Sequence, residues 1–317
     1  VKQPALGITA SFLVIAVSLG FIALFTFPTF ANWVAFLTIC FIPMQIVISV
    51  TWGGKHPAFA AARPQPAKGI LLTVLALAVG AVVAVVHLIK NPVAAGFTML
   101  VACYLINYLL FRLLFNYGFM RGAPVYVSSL DPHGLFNAWS VLVFYITVIA
   151  VMFLSLNFDL WPFTKFPALM RQPLLGLVWT ITSLVIGGLT FYIGVHLMKM
   201  DVVSFMVRVP IPFVFGTIIV LNMMHGSIFG KLAQPLKGLL NAIASAAIGT
   251  VLALLYGALA PLVTGKVNPG PPSYDFEIWL ASALLAVTFP FLICYAEFFK
   301  MWPLHRESRQ SPLPPSQ

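Results

Sequence analysis

Gln234-Pro235-Leu236-Lys237-Gly238 heads an apolar run that carries no charge from Leu239 to Val263. The same Gln-Pro-x-x-Gly pattern heads three more such runs: Gln3-Pro4-Ala5-Leu6-Gly7, Gln65-Pro66-Ala67-Lys68-Gly69 and Gln172-Pro173-Leu174-Leu175-Gly176. Apolar runs of about twenty residues match helices that cross a hydrocarbon core about 30 Å thick. The motif has the chemistry of a helix start. Proline is tolerated at the first helical position, where its missing N–H would have no partner. Glycine lets a neighbouring backbone come close.

Composition agrees. Apolar residues make up 61% of the 317 residues and charged residues 8%, whereas soluble domains carry about 25% charged residues. A transmembrane barrel would show alternating segments of about ten residues, not long continuous runs. The expected class is an all-α polytopic transmembrane bundle. The net charge of +10 does not point to nucleic acid. No basic face with interleaved aromatics stands outside the apolar runs, and the Lys and Arg residues lie mostly between runs, as topology signals and headgroup anchors. Cys40, Cys103 and Cys294 all fall inside apolar runs without metal-ligand spacing and read as small packing residues. Lys2 precedes a run longer than a signal-peptide core, so an uncleaved first helix is expected.

Proline and glycine cut the chain into nine expected helices, at 7–27, 31–51, 69–89, 93–116, 135–158, 174–197, 202–224, 236–262 and 276–300. They form one transmembrane domain over 1–304, with a polar, Pro-rich, disordered tail at 305–317. A periodicity suggests duplication. Trp33 is echoed by Trp139, Trp52 by Trp161, Gln65 by Gln172 and His87 by His196, at offsets of 106, 109, 107 and 109. On this reading repeat A, about 30–118, matches repeat B, about 137–226, and helices two to four correspond to helices five to seven, with two further helices over 236–300. Three helices per unit would thread the copies in opposite directions, as in inverted-repeat transporters. Small-residue ridges at Ala76, Gly80 and Ala84, at Gly187 and Gly188, and at Ser245 and Gly249 fit close helix packing in lipid.

Charges inside apolar runs are costly and often functional. Arg112, Arg208 and Glu297 are such charges, each near enough to a helix end to snorkel. Arg208 precedes Val209-Pro210-Ile211-Pro212. Two prolines remove two N–H donors and break a helix, and broken helices line substrate sites in transporters. The expected path is therefore lined by Arg208, Pro210 and Pro212, with Asp275 or Glu277 as counter-charge and with Arg112 and Asn107 as further polar contacts. The six histidines, at 56, 87, 133, 196, 225 and 305, form no ligand pair at helical spacing, so no metal or cofactor is expected. The phosphate loop Gly-x-x-x-x-Gly-Lys-Ser/Thr is absent, as are Gly-x-Ser-x-Gly and His-Glu-x-x-His.

The reading these residues favour is a permease or channel-like transporter of a small solute, with an anionic one suited to Arg208. It would sit in lipid as a multi-pass protein of a bacterial inner membrane, alone, as a homo-oligomer or with a protein partner. The alternative is a non-catalytic membrane subunit that anchors a redox or enzyme complex and holds quinone or lipid. A lipid- or prenyl-processing enzyme would need paired acids for a metal, and Asp275-x-Glu277 is the only close pair.

Overall fold

In the computed structural model, residues 2–24, 63–82, 138–171, 174–271 and 273–305 are described. Among these residues every element is helical and none is a strand. The elements are α1 (Ala5–Ile22), α2 (Ala67–Val82), α3 (Ala138–Asn157), α4 (Leu174–Leu197), α5 (Val202–Met223), α6 (Leu236–Val263) and α7 (Asp275–Phe298). Five of them, α1, α4, α5, α6 and α7, are long and apolar enough to cross a membrane. The helices expected at 31–51 and 93–116, and the tail beyond 305, lie outside the described residues.

α5 is the central element. In its most apolar stretch 72% of the residues are buried, against 11% in α4 and 22% in α6. α4 shows Leu177, Ile181, Val185 and Leu189 to the outside, a surface suited to lipid. α5 starts on Asp201, whose carboxylate accepts from the backbone N–H groups of Val203 (3.1 Å) and Ser204 (2.9 Å). It breaks at Val209 (φ −119°, ψ −77°) and restarts at Pro210. Pro210 and Pro212 thus stand in the first turn of the new segment, where missing donors break no helical bonds. α7 adapts to Pro290 in a related way, with a wide π-helical stretch over Ser282–Thr288 before it.

The Gln-Pro-x-x-Gly motifs do more than start helices. In α1, α2 and α6 the first helical residue follows the proline. The glutamine then bonds at both ends. Its Oε1 accepts from the glycine N–H four residues on, at 3.1 Å for Gln3, 3.2 Å for Gln65 and 3.0 Å for Gln234. Its Nε2 donates to the final turn of another helix: Gln3 to the Met223 carbonyl (2.9 Å), Gln65 to the Phe298 carbonyl (2.8 Å) and Gln234 to the Asn157 carbonyl (3.4 Å). Those carbonyls belong to the orphan acceptors at helix C-termini. The three acceptor helices end alike, each with two left-handed residues: Asp159 and Leu160 (φ 50° and 60°), His225 and Gly226 (54° and 60°), and Lys300 and Met301 (49° and 59°). The motif glycine is required sterically. A Cβ on Gly7 would strike the Met223 backbone, one on Gly69 the Phe299 ring and one on Gly238 the Phe158 ring. Gln172 and Pro173 lie outside the described residues.

These bonds fix helix direction. The starts of α1, α2 and α6 share one end of the bundle, the near end, with the C-termini of α3, α5 and α7. The Trp179 indole donates to Ser155 Oγ (2.6 Å), so α4 also starts there. At the far end Tyr274 Oη donates to Asp201 (2.8 Å), and the Trp279 indole to Thr264 (2.7 Å). α1 and the α-helical part of α4 begin at 5 and 174 and end at 22 and 191, while α2 and α6 begin at 67 and 236. One offset of 169 relates both pairs, and the members of each pair run the same way. The inverted reading pairs Gln65 with Gln172, and Gln172 lies outside the described residues. Most of repeat A, 30–118, lies outside the described residues.

Candidate functional site

Among the described residues, no ion pair joins Arg208 to Asp275 or Glu277. Arg208 is exposed at the α5 break and makes no ion pair among the described residues. Pro210, Ile211 and Pro212 are buried, and the Pro212 carbonyl packs directly on Gly249 of α6. Here α5 and α6 are in tight backbone contact. Glu277 is buried, and both its oxygens accept from the Gly270 N–H (3.2 and 3.1 Å), which ties the α6–α7 connection to α7. Asp275 is half-buried in the first turn of α7, where a negative charge suits the helix dipole. Asp201, the other acid near Arg208, is occupied by its cap and by Tyr274. Desolvation first, then the hydrogen bond and charge of Asp201 and the charge of Glu277, push the Tyr274 phenol up to about 12. Arg112 and Asn107 lie outside the described residues. Glu297 pairs with Lys300 at 3.1 Å and accepts from Asn222 at 3.5 Å, at the near end. His196 lies against Phe191 and Tyr192, and no group of three or more metal-ligand side chains occurs among the described residues. An open apolar cleft of about 200 Å³ at the far end, lined by Gly257, Ala260, Pro261, Val267, Pro269 and Phe276, offers no charged group.

A different set of residues comes together between α3, α5 and α6. It begins on the near-end surface, where Asp159 accepts from Lys237 (2.7 Å) and from Gln234 (2.8 Å). Desolvation works to raise the Asp159 carboxyl, but the bonds to Lys237 and Gln234 outweigh it and hold the group below the usual carboxylate range. One step inward, Gln234 meets the Asn157 carbonyl. The Asn157 amide donates to Phe153 O and to Thr217 Oγ1, both at 3.2 Å. Gly216, beside Thr217, packs on the Ser245 backbone. Asn241 lies one turn before Ser245 on α6, bracketed by Gly238 against Phe158 and Ser245 against Gly216. Asn157, Thr217, Asn241 and Ser245 are each fully buried.

The bonding of this file is incomplete. Both amide atoms of Asn241, Asn157 Oδ1 and Ser245 Oγ find no partner among the described residues. Burying an unbonded amide or hydroxyl costs about 1–3 kcal/mol by mutational measures. From Gln234 to Ser245 the file extends eleven residues along α6, about 16 Å at 1.5 Å per residue and roughly half of a bilayer core. It stops where Pro212 meets Gly249. The fold itself does not demand the amide. At the 169-residue offset Asn241 corresponds to Leu72, fully buried in α2, and Ser245 to Ala76.

Sequence reading marked Ser245 only as a packing residue and did not single out Asn241. The available signal was an uncharged amide one turn from a serine inside an otherwise apolar run. No family model, curated protein or solved structure matches this chain.

Proposed function

We propose that the protein is a multi-pass membrane transporter of a small polar solute, which enters from the near end along the file between α3, α5 and α6. Asn241 carries this reading: a fully buried amide with no described partner, in a place where the other half of the chain uses leucine. An amide buried in lipid normally bonds across helices; one left without a bond is costly to bury and is suited to a polar molecule that would complete it. The path expected at Arg208 thereby moves to α6, and Pro212 becomes its closing contact.

The proposed architecture is two halves in parallel orientation with an even number of crossings, instead of nine spans with inverted repeats. Gln3 and Trp302 stand at one end of the bundle, where nine crossings would separate them. The shared direction of α1 with α4 and of α2 with α6 supports the parallel arrangement, a form of repeat also found in transporters. Charge supports an orientation. Lys2, Arg63, Lys68, Lys165, Arg171, Lys231, Lys237 and Lys300 lie at the near end with Asp159 and Glu297; Lys199, Arg208 and Lys266 lie toward the far end with Asp201, Asp275 and Glu277. Among the described residues, the eight basic residues at the near end against three at the far end support a cytoplasmic near end by the positive-inside rule.

Two measurements test this. Single cysteines at Lys237 and Lys266 should react with membrane-impermeant thiol reagents from the inside and the outside, respectively; labelling of both from one side removes the topology. Proteoliposomes should pass small polar solutes, and Asn241→Leu should stop the flux while the protein stays folded. Flux unchanged in Asn241→Leu, or none in the parent, removes the transport reading. The subunit alternative gains nothing from the outer face of α4, which is aliphatic and suited to lipid.

A further inference from the structure

The transport reading leaves open what kind of solute the file accepts, and the side chains on it narrow that choice. We propose that the buried segment from Asn157 to Ser245 is a binding site for an uncharged molecule of a few heavy atoms that both donates and accepts hydrogen bonds, such as water or a small amide, and that it rejects ions of either sign. This deepens the proposed function and rests on it for the direction of entry only.

The chemistry of the unpartnered groups carries the inference. Asn157 Oδ1 is a pure acceptor, Asn241 offers both amide donors and an acceptor, and Ser245 Oγ serves as either. No Lys, Arg, Asp or Glu stands among the buried members. The charges that belong to the file, Asp159 and Lys237, neutralise one another at 2.7 Å on the surface. A bare ion passing beyond them would meet only neutral dipoles in an apolar surround, too few to replace its hydration. A molecule with a donor and an acceptor would instead complete the bonds that the protein leaves open. A purely structural role is disfavoured by the other half of the chain, where Leu72 fills the position corresponding to Asn241 and is fully buried.

The full chain with Cys40, Cys103 and Cys294 replaced by serine, and with Ser245→Cys added, is the test protein. Three thiol reagents of similar reactivity serve as probes: methyl methanethiosulfonate, which is neutral, a quaternary ammonium analogue and a sulfonate analogue. Cys at 245 should react with the neutral reagent, and about a hundredfold more slowly with either charged one. Adding Asn241→Leu should suppress the neutral reaction, with the melting temperature and size-exclusion profile retained. Lys237→Cys, on the surface, should react with all three. Equal rates with charged and neutral probes overturn the selectivity, and no reaction with any probe shows a closed structural polar cluster and overturns the site. If Ser245→Cys does not fold, Asn157→Cys is judged by the same rates. Labelling requires no net transport, so a labelled protein with no flux in proteoliposomes keeps the site and removes the transporter. Flux without labelling does the reverse.

Discussion

Gln65 donates its side-chain N–H to the Phe298 carbonyl, 233 residues further along the chain, at 2.8 Å. Its counterpart Gln234, at the 169-residue offset, donates to the Asn157 carbonyl. The first bond runs from the earlier half to the later and the second runs back. Each half closes an open helix end of the other, so the halves are cross-linked by reciprocal polar clamps as well as by apolar contact. Loss of one clamp strands both a buried carbonyl and a glycine N–H. Gln65→Leu is therefore expected to cost about 1–3 kcal/mol, read as a lower melting temperature in detergent.

The helix glycines should rank by what blocks them. Gly7→Ala drives a methyl into the Met223 backbone, which cannot swing aside, whereas Gly188→Ala meets only a Phe144 ring edge at 3.6 Å. Gly7→Ala is expected to destabilise by about 1–3 kcal/mol and Gly188→Ala by no more than about 0.5 kcal/mol. Thermal melting of the two variants side by side checks the ranking.

At the α5 break, packing should matter and charge should not. Gly249→Ala would push a methyl onto the Pro212 carbonyl, with an expected cost of about 1–3 kcal/mol. Arg208→Gln removes an exposed charge with no ion pair among the described residues and should change stability by no more than about 0.5 kcal/mol. A larger loss in Arg208→Gln would show that the guanidinium has a partner.

The Asp159–Lys237 pair gives acid sensitivity of a definite sign. The folded-state carboxyl lies below its ordinary value of 3.8, so the unfolded chain takes up the proton first as pH falls. The stabilisation is present above pH 3.8 and is lost as pH drops through the folded value. The carboxylate is more than half exposed, so solvent screening keeps the effect small. Asp159→Asn should have a flatter melting temperature profile between pH 5 and pH 3 than the parent.

Tyr274 gives the opposite sign at the alkaline end. Its phenol is raised to about 12 from 10.0, so its contribution is complete below pH 10 and fades as pH rises toward 12. Tyr274→Phe should remove that part of the alkaline loss, measured by melting between pH 9 and pH 11.

Much of the helix layout was legible in the sequence, because Gln-Pro-x-x-Gly marks starts within a residue or two: the helices it heads, expected at 7, 69, 174 and 236, begin at 5, 67, 174 and 236. The break at Pro210 was legible too, since two absent donors leave the chain no other place to restart. The role of glutamine was not. Its acceptors lie 77, 220 and 233 residues away, and no local rule reaches that far. The repeat was harder to read for a different reason. Trp33, Trp52 and His87 are interface-type residues that recur in many membrane helices, whereas the equal spacing of the Gln-Pro sites, 3 to 65 and 172 to 234, gives the offset that the helix starts share. Arg208 drew notice because charge is conspicuous in an apolar chain. Asn241 carries none, and only its burial without a described partner sets it apart.

The long reach of the glutamine clamps bears on how the protein is made. α1 and α2 are synthesised before α5 and α7, yet the carbonyls that Gln3 and Gln65 hold belong to residues 223 and 298. The Gln3 amide waits until α5 has been made, and the Gln65 amide until α7 has been made. The clamps therefore close in sequence, with the α2–α7 lock following the α1–α5 lock. A chain cut before α7 would keep the first lock and leave Gln65 without its acceptor.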